Sequence, residues 1–542
     1  MPTFVYPRIR LDGLLRQAAV RDPAGCALRT AAGPVTFAEL DDRADRIAAY
    51  LEHTLGRRGA RVGVANTLDA VFPAAYYGTA RSGNTVVLVN PLLRAEGLEH
   101  VLASAAVEVA FVPTATAELL VKLADRLPVL RTVVVTDASE GIVPSDAVPL
   151  RAALDSVPGR RPLPALATDL DADVCVQFTT GTTGRPKGVR LSHRNLVANA
   201  AQTAAAHHLG SDSVTLNHLP LYHVMHLNSA MYAGAEQVLC ADPDPWASLR
   251  YAAEAGATHY YGLPARLHRL AGDERLLADG GGAPGGARLT VVLSGGTALA
   301  PPAARVLSEH IGVPVVQGYG MAELSPLSHC QSPYGPGAAG AGGAGGVVGG
   351  VGGVGGVVPG TECRIVHLDT RQVLDAHATG EVQVRGPQVM AGYLDDPGPA
   401  AVDADGWFST GDVGHLDEDG QLFLVDRLGD VFKHDNELVS PSAVEAVLGE
   451  DPRVTDCIAA DWPDDIHGAV VWTGIVLRDP AAPGLPEVVD AIVARANERL
   501  APYERIRRAE VLDAVPRTPV GKPERRVLRQ QLSTRAAEEA AV

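Results

Sequence analysis

The sequence predicts an α/β protein that turns β-rich after about residue 360 and ends in a compact α+β domain. Three observations carry this. Amphipathic helices alternate with short apolar strands from Val35 onward. Brief strands divided by turn residues follow Gly360, and helix–strand alternation returns beyond Arg427. With 542 residues, 46% hydrophobic and 20% charged, the chain can fill several cores, and wholesale disorder is excluded.

Taken in order, residues 37–51 place Leu40, Ala44, Ile47 and Leu51 at helical spacing, with Thr36 as N-cap. Arg61–Ala65 and Thr85–Val89 read as buried strands, a helix is expected over 96–105, and strands over 107–112 and 132–135. Strands separated by helices in this way imply parallel sheets. Further on, 362–367, 380–385 and 421–425 alternate as strands, with 417–420 as a hairpin turn. The chain closes on a basic helical segment.

Charge and cysteine content narrow the function classes. The net charge of −17 argues against broad DNA binding, which needs dense Lys and Arg, and no nucleic-acid partner is expected. Cys26, Cys175, Cys240, Cys330, Cys363 and Cys457 contain no C-x-x-C pair and read as reduced thiols. No apolar run approaches the ~18 residues needed to span a bilayer, and the first ten residues lack the apolar core of a secretory signal. The expectation is a cytoplasmic protein without a membrane partner. Glycine is in excess, 57 residues, much of it in a Gly/Ala/Val tract over 335–360, which is expected to be a flexible loop. Within it, 350–355 formally matches G-x-G-x-x-G, but with no strand before it or helix after it dinucleotide binding is not expected.

The segment carrying most chemistry is 174–200. An apolar strand runs into Thr179-Thr-Gly-Thr-Thr-Gly-Arg-Pro-Lys-Gly188, and a helix follows near Ser192. The main chain of Gly181 and Gly184 can approach phosphate oxygens, the hydroxyls of Thr179, Thr180, Thr182 and Thr183 can donate to them, and Lys187 adds positive charge. The spacing is not that of a Walker A loop.

This run resembles the phosphate loop of the adenylate-forming superfamily: acyl- and aryl-CoA synthetases, peptide-synthetase adenylation domains and luciferases. Further segments resemble that superfamily's motifs in its order: Leu219-Pro-Leu-Tyr-His223, Leu293-Ser-Gly-Gly-Thr297, Gln317-Gly-Tyr-Gly-Met-Ala-Glu323, Gly406-Trp-Phe-Ser-Thr-Gly-Asp412, Val425-Asp-Arg427 and Pro516-Arg-Thr-Pro-Val-Gly-Lys522. The resemblance implies ATP and Mg²⁺ as cofactors. Asp412 would accept from the ribose hydroxyls and Arg427 would donate to the ribose or phosphate side. Tyr319 would lie against adenine, with Gly295, Gly296, Thr297, Gln317, Gly318, Gly320 and Met321 lining the nucleotide. Glu323, with Thr180, would hold the metal, and His223 would stand near the acyl adenylate. Lys522 would stabilise charge in the transition state. It also implies a large N-terminal portion, 1–426, of two α/β subdomains and a β-rich one, and a small mobile C-terminal domain, 427–542, carrying Lys522.

Four departures bear on mechanism. Ala322 stands where the superfamily usually has Thr. Asp435 and Asn436 occupy positions that usually carry glycine in the loop lining the thiol tunnel. Gly429 replaces the usual hinge Asp or Lys, and the Gly-rich tract lengthens a connection. The acid pocket is assigned to His226, Asn228, Met321 and His329, beside His223. Two imidazoles and an amide there favour a small polar or aromatic acid. The function expected is activation of that acid as acyl-AMP and transfer to a thiol, of CoA or of a carrier protein's phosphopantetheine. The alternatives are a non-thiol partner, as in an amine-coupling ligase or a nitrite-activating diazotase, and an inactive ATP-binding scaffold.

Overall fold

A computed structural model describes residues 4–137, 144, 146–157, 169–179, 186–278, 288–333, 353–394, 401–435, 437–464, 466–480, 484–517 and 523–540. The chain divides into two compact units. The first comprises Met1–Cys363, Val384–Phe408 and Asp419–Leu422; the second comprises Arg364–Gln383, Ser409–Glu418 and Phe423–Val542. The expected boundary at 426/427 differs from this division, in which Arg364–Gln383 and Ser409–Glu418 group with the C-terminal residues.

In the first unit the expected helix spans Phe37–Leu55. Thr36 Oγ1 accepts from the Glu39 N–H at 3.2 Å, and the Glu39 carboxylate accepts from the Thr36 N–H at 2.8 Å. This reciprocal box satisfies two donors that helix geometry leaves open. Leu40, Ala44, Ile47 and Leu51 are buried, as their spacing requires.

One sheet of this unit has eight strands, in the order Gly392–Tyr393, Lys187–Ser192, Asp173–Thr179, Thr85–Val89, Arg61–Ala65, Val109–Val112, Thr132–Val135 and Ala147–Pro149. The last six are parallel, and Val87, Val89, Leu98, Val101, Val112 and Leu120 form a core on one face. A second run has nine strands: Gly353–Val357, Leu327–Cys330, Val315–Gly320, Val291–Gly295, His259–Gly262, Val214–His218, Glu236–Leu239, Cys26–Thr30 and Gly33–Thr36. Its central pairings are parallel, and both ends are antiparallel.

Two expectations are corrected here. Between the strand Asp173–Thr179 and the helix His193–Ala206 the structure inserts another strand, Lys187–Ser192, antiparallel to the first. The expected strand–loop–helix is thus a hairpin followed by a helix. The glycine tract is also not a loop to its end: Gly353–Val357 is a strand, with Gly356 opposite Cys330 and Val357 opposite His329. Small residues suit this place, since a Cβ added at Gly355 would lie 2.1 Å from the Cys330 carbonyl. The part of the tract over 334–352 lies outside the described residues.

Mostly in the second unit, Glu362–Val366, Gly380–Arg385, Phe408–Leu416 and Leu422–Arg427 neighbour one another in that order. A hairpin, Phe432–His434 with Glu437–Val439, precedes a three-stranded sheet of Val454–Asp464, Gly468–Leu477 and Ile506–Val511. Val444, Leu448, Ile475 and Ile492 fill one side of that sheet. Trp472, Leu528 and Leu532 fill another core, the last two from the C-terminal helix Arg525–Ala540.

Gly355→Ala is expected to lower stability by more than about 2 kcal/mol, through overpacking at a backbone φ of +94°. Gly56→Ala, at a helix end with φ +62° and open space around it, is expected to cost about 1 kcal/mol. Denaturant unfolding of the two variants checks the ordering; equal losses would remove the steric argument.

Candidate active site

The antiparallel pairing of Asp173–Thr179 with Lys187–Ser192 sets Thr179 opposite Lys187 at the neck of the phosphate-loop segment. Thr180, Gly181, Thr182, Thr183 and Gly184 lie outside the described residues. The Lys187 ammonium stands 4.8 Å from the centre of the Tyr393 ring, and the Tyr393 hydroxyl donates to Glu323 Oε1 at 2.9 Å. Tyr393 is placed by the pairing of Gly392 and Tyr393 with Arg190 and Val189. Glu323 is placed by the Met390 N–H, which donates to its carbonyl at 2.8 Å. One aromatic side chain therefore links the loop's lysine to the carboxylate expected to hold metal. The ring face favours the cation, and the hydroxyl favours the anion. Sequence reasoning misses Tyr393, because a tyrosine after Ala391-Gly392 has neither periodicity nor charge to mark it.

The two glycine segments meet at the carboxyl ends of adjacent parallel strands, where Gly295 pairs with Gly318. Gly296, at φ +92°, and Thr297 are exposed just beyond. Gln317 plays a structural part here: its Oε1 accepts from the Leu299 N–H at 2.8 Å and closes that turn. Gly320 is demanded by packing, since an added Cβ would lie 1.9 Å from the Pro326 carbonyl oxygen. Tyr319 is buried, its ring 5.8 Å from that of His329, and Met321 follows in extended backbone. Ala322 is buried ahead of Glu323.

His223 caps the helix Val224–Ala233, its Nδ1 accepting from the Met225 N–H at 3.2 Å. Burial lowers its pKa to about 4. The His226 ring lies 5.9 Å from that of His223 and stacks on Tyr261 at 4.0 Å. His226 Nδ1 bonds Asn217 Oδ1 at 2.8 Å; an amide oxygen only accepts, so Nδ1 carries the proton and Nε2 a lone pair. Desolvation, then the neighbouring imidazoles His223 and His207, hold His226 well below its ordinary pKa. His329 is fully buried, with Nδ1 3.0 Å from Ser328 Oγ. That hydroxyl already donates to the Tyr319 carbonyl, so His329 donates in turn and its Nε2 is left as a lone pair. That atom has no partner among the described residues, and burial lowers the His329 pKa to about 3.

Asn228 is different. Its Oδ1 accepts from the Tyr77 hydroxyl at 2.9 Å and its Nδ2 donates to Tyr76 Oη at 3.1 Å, all three residues being buried. The amide expected to meet substrate ties two helices together instead. His207 is buried and bonds Tyr261 Oη at 3.0 Å.

In the second unit Arg427 Nε lies 2.7 Å from Asp412 Oδ1, so the two residues assigned to the ribose form an ion pair with the carboxylate buried. The Asp412 N–H donates to Thr410 Oγ1, and the Arg427 N–H to Asp426 Oδ1. Asp426 Oδ2 accepts from the Ser440 hydroxyl and the Ser442 N–H, which anchors the strand end carrying Arg427. Beyond it, the Arg529 guanidinium donates to the carbonyls of Gly429 and Asp430. Asp435, in the left-handed region at φ +49°, bonds His467; Asn436 and Lys522 lie outside the described residues.

The fold that carries this glycine-lined strand edge, this lysine–tyrosine–glutamate link and this carboxylate–guanidinium pair is that of an adenylate-forming enzyme. The AMP-binding enzyme family profile matches residues 15–394, and its C-terminal domain profile matches 443–522; the chain belongs to this family. It is 30% identical to 4-coumarate–CoA ligase 5 of Oryza sativa subsp. japonica, over 96% of this chain and 94% of that one. It is 29% identical to the long-chain-fatty-acid–CoA ligase of Bacillus subtilis (strain 168), over 97% and 95%. Among solved structures, the amide bond synthetase McbA from Marinactinospora thermotolerans superposes with a TM-score of 0.80 at 26% identity, covering 96% of this chain and all of that one.

Asn228→Ala is expected to destabilise the fold by about 2–3 kcal/mol, because it orphans two buried tyrosine hydroxyls, while leaving the ranking of acid substrates unchanged. Thermal unfolding and a substrate panel test both halves; an unchanged melting temperature with altered ranking reverses the assignment. Burial also sets a pH dependence. His193, His207, His218, His223 and His329 are lowered to about 3 or 4, each chiefly by desolvation. The unfolded chain therefore binds more protons below the ordinary value of 6.5. Stability should fall as pH drops from there toward about 4, read as a falling urea midpoint; a flat profile across that window contradicts the neutral imidazoles.

Proposed function

We propose that this AMP-forming ligase activates a small carboxylic acid bearing a hydroxyl or amino donor, and passes the acyl group to a thiol of CoA or of a carrier protein. The observation that carries the acid assignment is the pair of lone-pair nitrogens. His226 Nε2 and His329 Nε2 are both left as acceptors by the bonds their Nδ1 atoms make, and both rings are neutral at physiological pH. A donor on the acid satisfies such a nitrogen, whereas a plain aliphatic chain leaves it desolvated and unpaired.

In this reading the acid's carboxylate attacks the ATP α-phosphorus, the bond to the pyrophosphate oxygen breaks, and acyl-AMP forms. Thr179 and Lys187 flank the phosphates, Lys187 standing on the Tyr393 ring so that its charge is held in place. Asp412 and Arg427 serve the ribose, and Lys522 steadies the charge on the carboxylate and α-phosphate. Glu323 fits Mg²⁺, with a hard oxygen donor steadied by the Tyr393 hydroxyl on its other oxygen. The ion supplies neutralisation of phosphate charge when bound. His223 is kept neutral by burial and adds no positive charge beside the acyl group.

A second reading, with an amine as the acceptor, is favoured by the likeness to an amide bond synthetase and by Asp435. That side chain brings negative charge to a position where superfamily members that pass an anionic cofactor usually carry glycine. AMP release measured with hydroxy- and amino-substituted acids, with and without CoA, separates the two. Release that depends on CoA upholds the thiol, release that depends on an added amine upholds the second reading, and no release with either overturns both. Lys522→Ala is expected to lower pyrophosphate release by a factor on the order of 10² or more; undiminished release removes the lysine from the mechanism.

A further inference from the structure

The second unit holds one group of three metal-ligating side chains among the described residues: His434, Asp435 and His467, whose ligand atoms all lie within 4.8 Å of one another. Sequence spacing gives no hint of it, since Asp435 and His467 are 32 positions apart and meet only in the fold. We propose that these residues form a binding site for a divalent transition-metal ion of the Zn²⁺ type, separate from the Mg²⁺ position at Glu323.

The argument rests on how each ligand is held. His434 is buried, and its Nδ1 donates to the Ala469 carbonyl at 2.8 Å. That bond fixes the ring and its tautomer, so Nε2 is a lone pair; it stands 3.8 Å from Asp435 Oδ2. A backbone carbonyl in this role is the usual outer support of a metal-bound imidazole. Asp435 occupies the tip of the hairpin Phe432–His434/Glu437–Val439 at φ +49°, a conformation aspartate tolerates better than most side chains. Its N–H donates to the His467 carbonyl at 3.2 Å, and its Oδ2 meets His467 Nδ1 at 2.8 Å. His467 sits in the turn that joins Val454–Asp464 to Gly468–Leu477. Asp464 Oδ1 orders that turn by accepting from the N–H groups of Ile466 and His467. The two imidazoles lie face to face, 4.6 Å between centroids at 27°.

Two nitrogens and one carboxylate oxygen suit a borderline cation, and poorly suit Mg²⁺ or Ca²⁺, which prefer oxygen alone. In a tetrahedral site with bonds of about 2.0–2.1 Å, ligand atoms stand about 3.3 Å apart. The group therefore needs to contract by roughly 1.5 Å at most, which rotation of the half-exposed Asp435 and His467 side chains supplies. Binding displaces the proton between Asp435 and His467 and leaves a fourth position for water. It also ties the hairpin tip to the 464–468 turn through the metal, in addition to the hydrogen bonds that already join them.

The test uses the full-length protein, stripped with a chelator and titrated with Co²⁺, then Zn²⁺, in a large excess of Mg²⁺. We expect one equivalent of Co²⁺ bound with micromolar affinity and a visible ligand-field band of a four- or five-coordinate ion, displaced by Zn²⁺. His467→Ala and His434→Ala are each expected to weaken binding at least about tenfold. Asp435→Asn, which keeps the left-handed turn but removes the charged ligand, should do the same. Far-UV circular dichroism checks that each variant is folded; His467, being half-exposed, serves if the buried His434 variant is not. Absence of micromolar binding in the native protein overturns the proposal, as does binding unchanged in folded His467→Ala and Asp435→Asn.

Discussion

The glycine-lined strand edge of the first unit depends on main chain approaching main chain more closely than any side chain allows. At Gly320 the space for a Cβ is taken by the Pro326 carbonyl, and at Gly355 by that of Cys330. These contacts fold Leu327–Cys330 back beside Val315–Gly320 and set Gly353–Val357 against it. The placement of Tyr319, Met321 and Glu323 follows from that reversal, and so does the burial of His329. A glycine here is thus as much a demand of the protein's own strands as an accommodation of ligand, and its presence alone does not identify a nucleotide contact.

Burial then sets the chemistry of the polar residues. Imidazoles taken out of water lose the charged form, and their ring nitrogens find partners inside the fold: Asn217 for His226, Ser328 for His329, Tyr261 for His207. On the side of Lys187, Tyr393 and Glu323, one aromatic side chain meets a cation with its ring and a carboxylate with its hydroxyl.

Much of this was legible in the sequence, and the rest was not for definite reasons. The helix from Phe37 and the strands Arg61–Ala65 and Thr85–Val89 follow from periodicity, because each buries one face or both. Asp412 and Arg427 were singled out from two separate segments, and the structure joins them as an ion pair. The strand Lys187–Ser192 was hidden because it follows a Pro and begins with Lys-Gly. The strand in the glycine tract was hidden because three of its five residues are glycine, which weakens a strand pattern. Tyr393 and the Asn228–Tyr76–Tyr77 linkage depend on tertiary contacts across 70 or more positions, which no local pattern encodes.

The strand Gly353–Val357 has one further property. It is cut from a run of Gly-Gly-Val triplets, 349–351, 352–354 and 355–357, so sliding the chain by three residues presents the sheet with an identical set of side chains. Its alignment is therefore degenerate on its own terms. What breaks the tie stands after it: Val358 donates to the Ser328 carbonyl, the Pro359 carbonyl accepts from Gln202, and Gly360 turns at φ +75° against Phe4. A genetic gain or loss of one whole triplet would leave every residue type in the strand as it is. The phase of the repeat is read from its far end, and the number of repeats can drift without the sheet recording it.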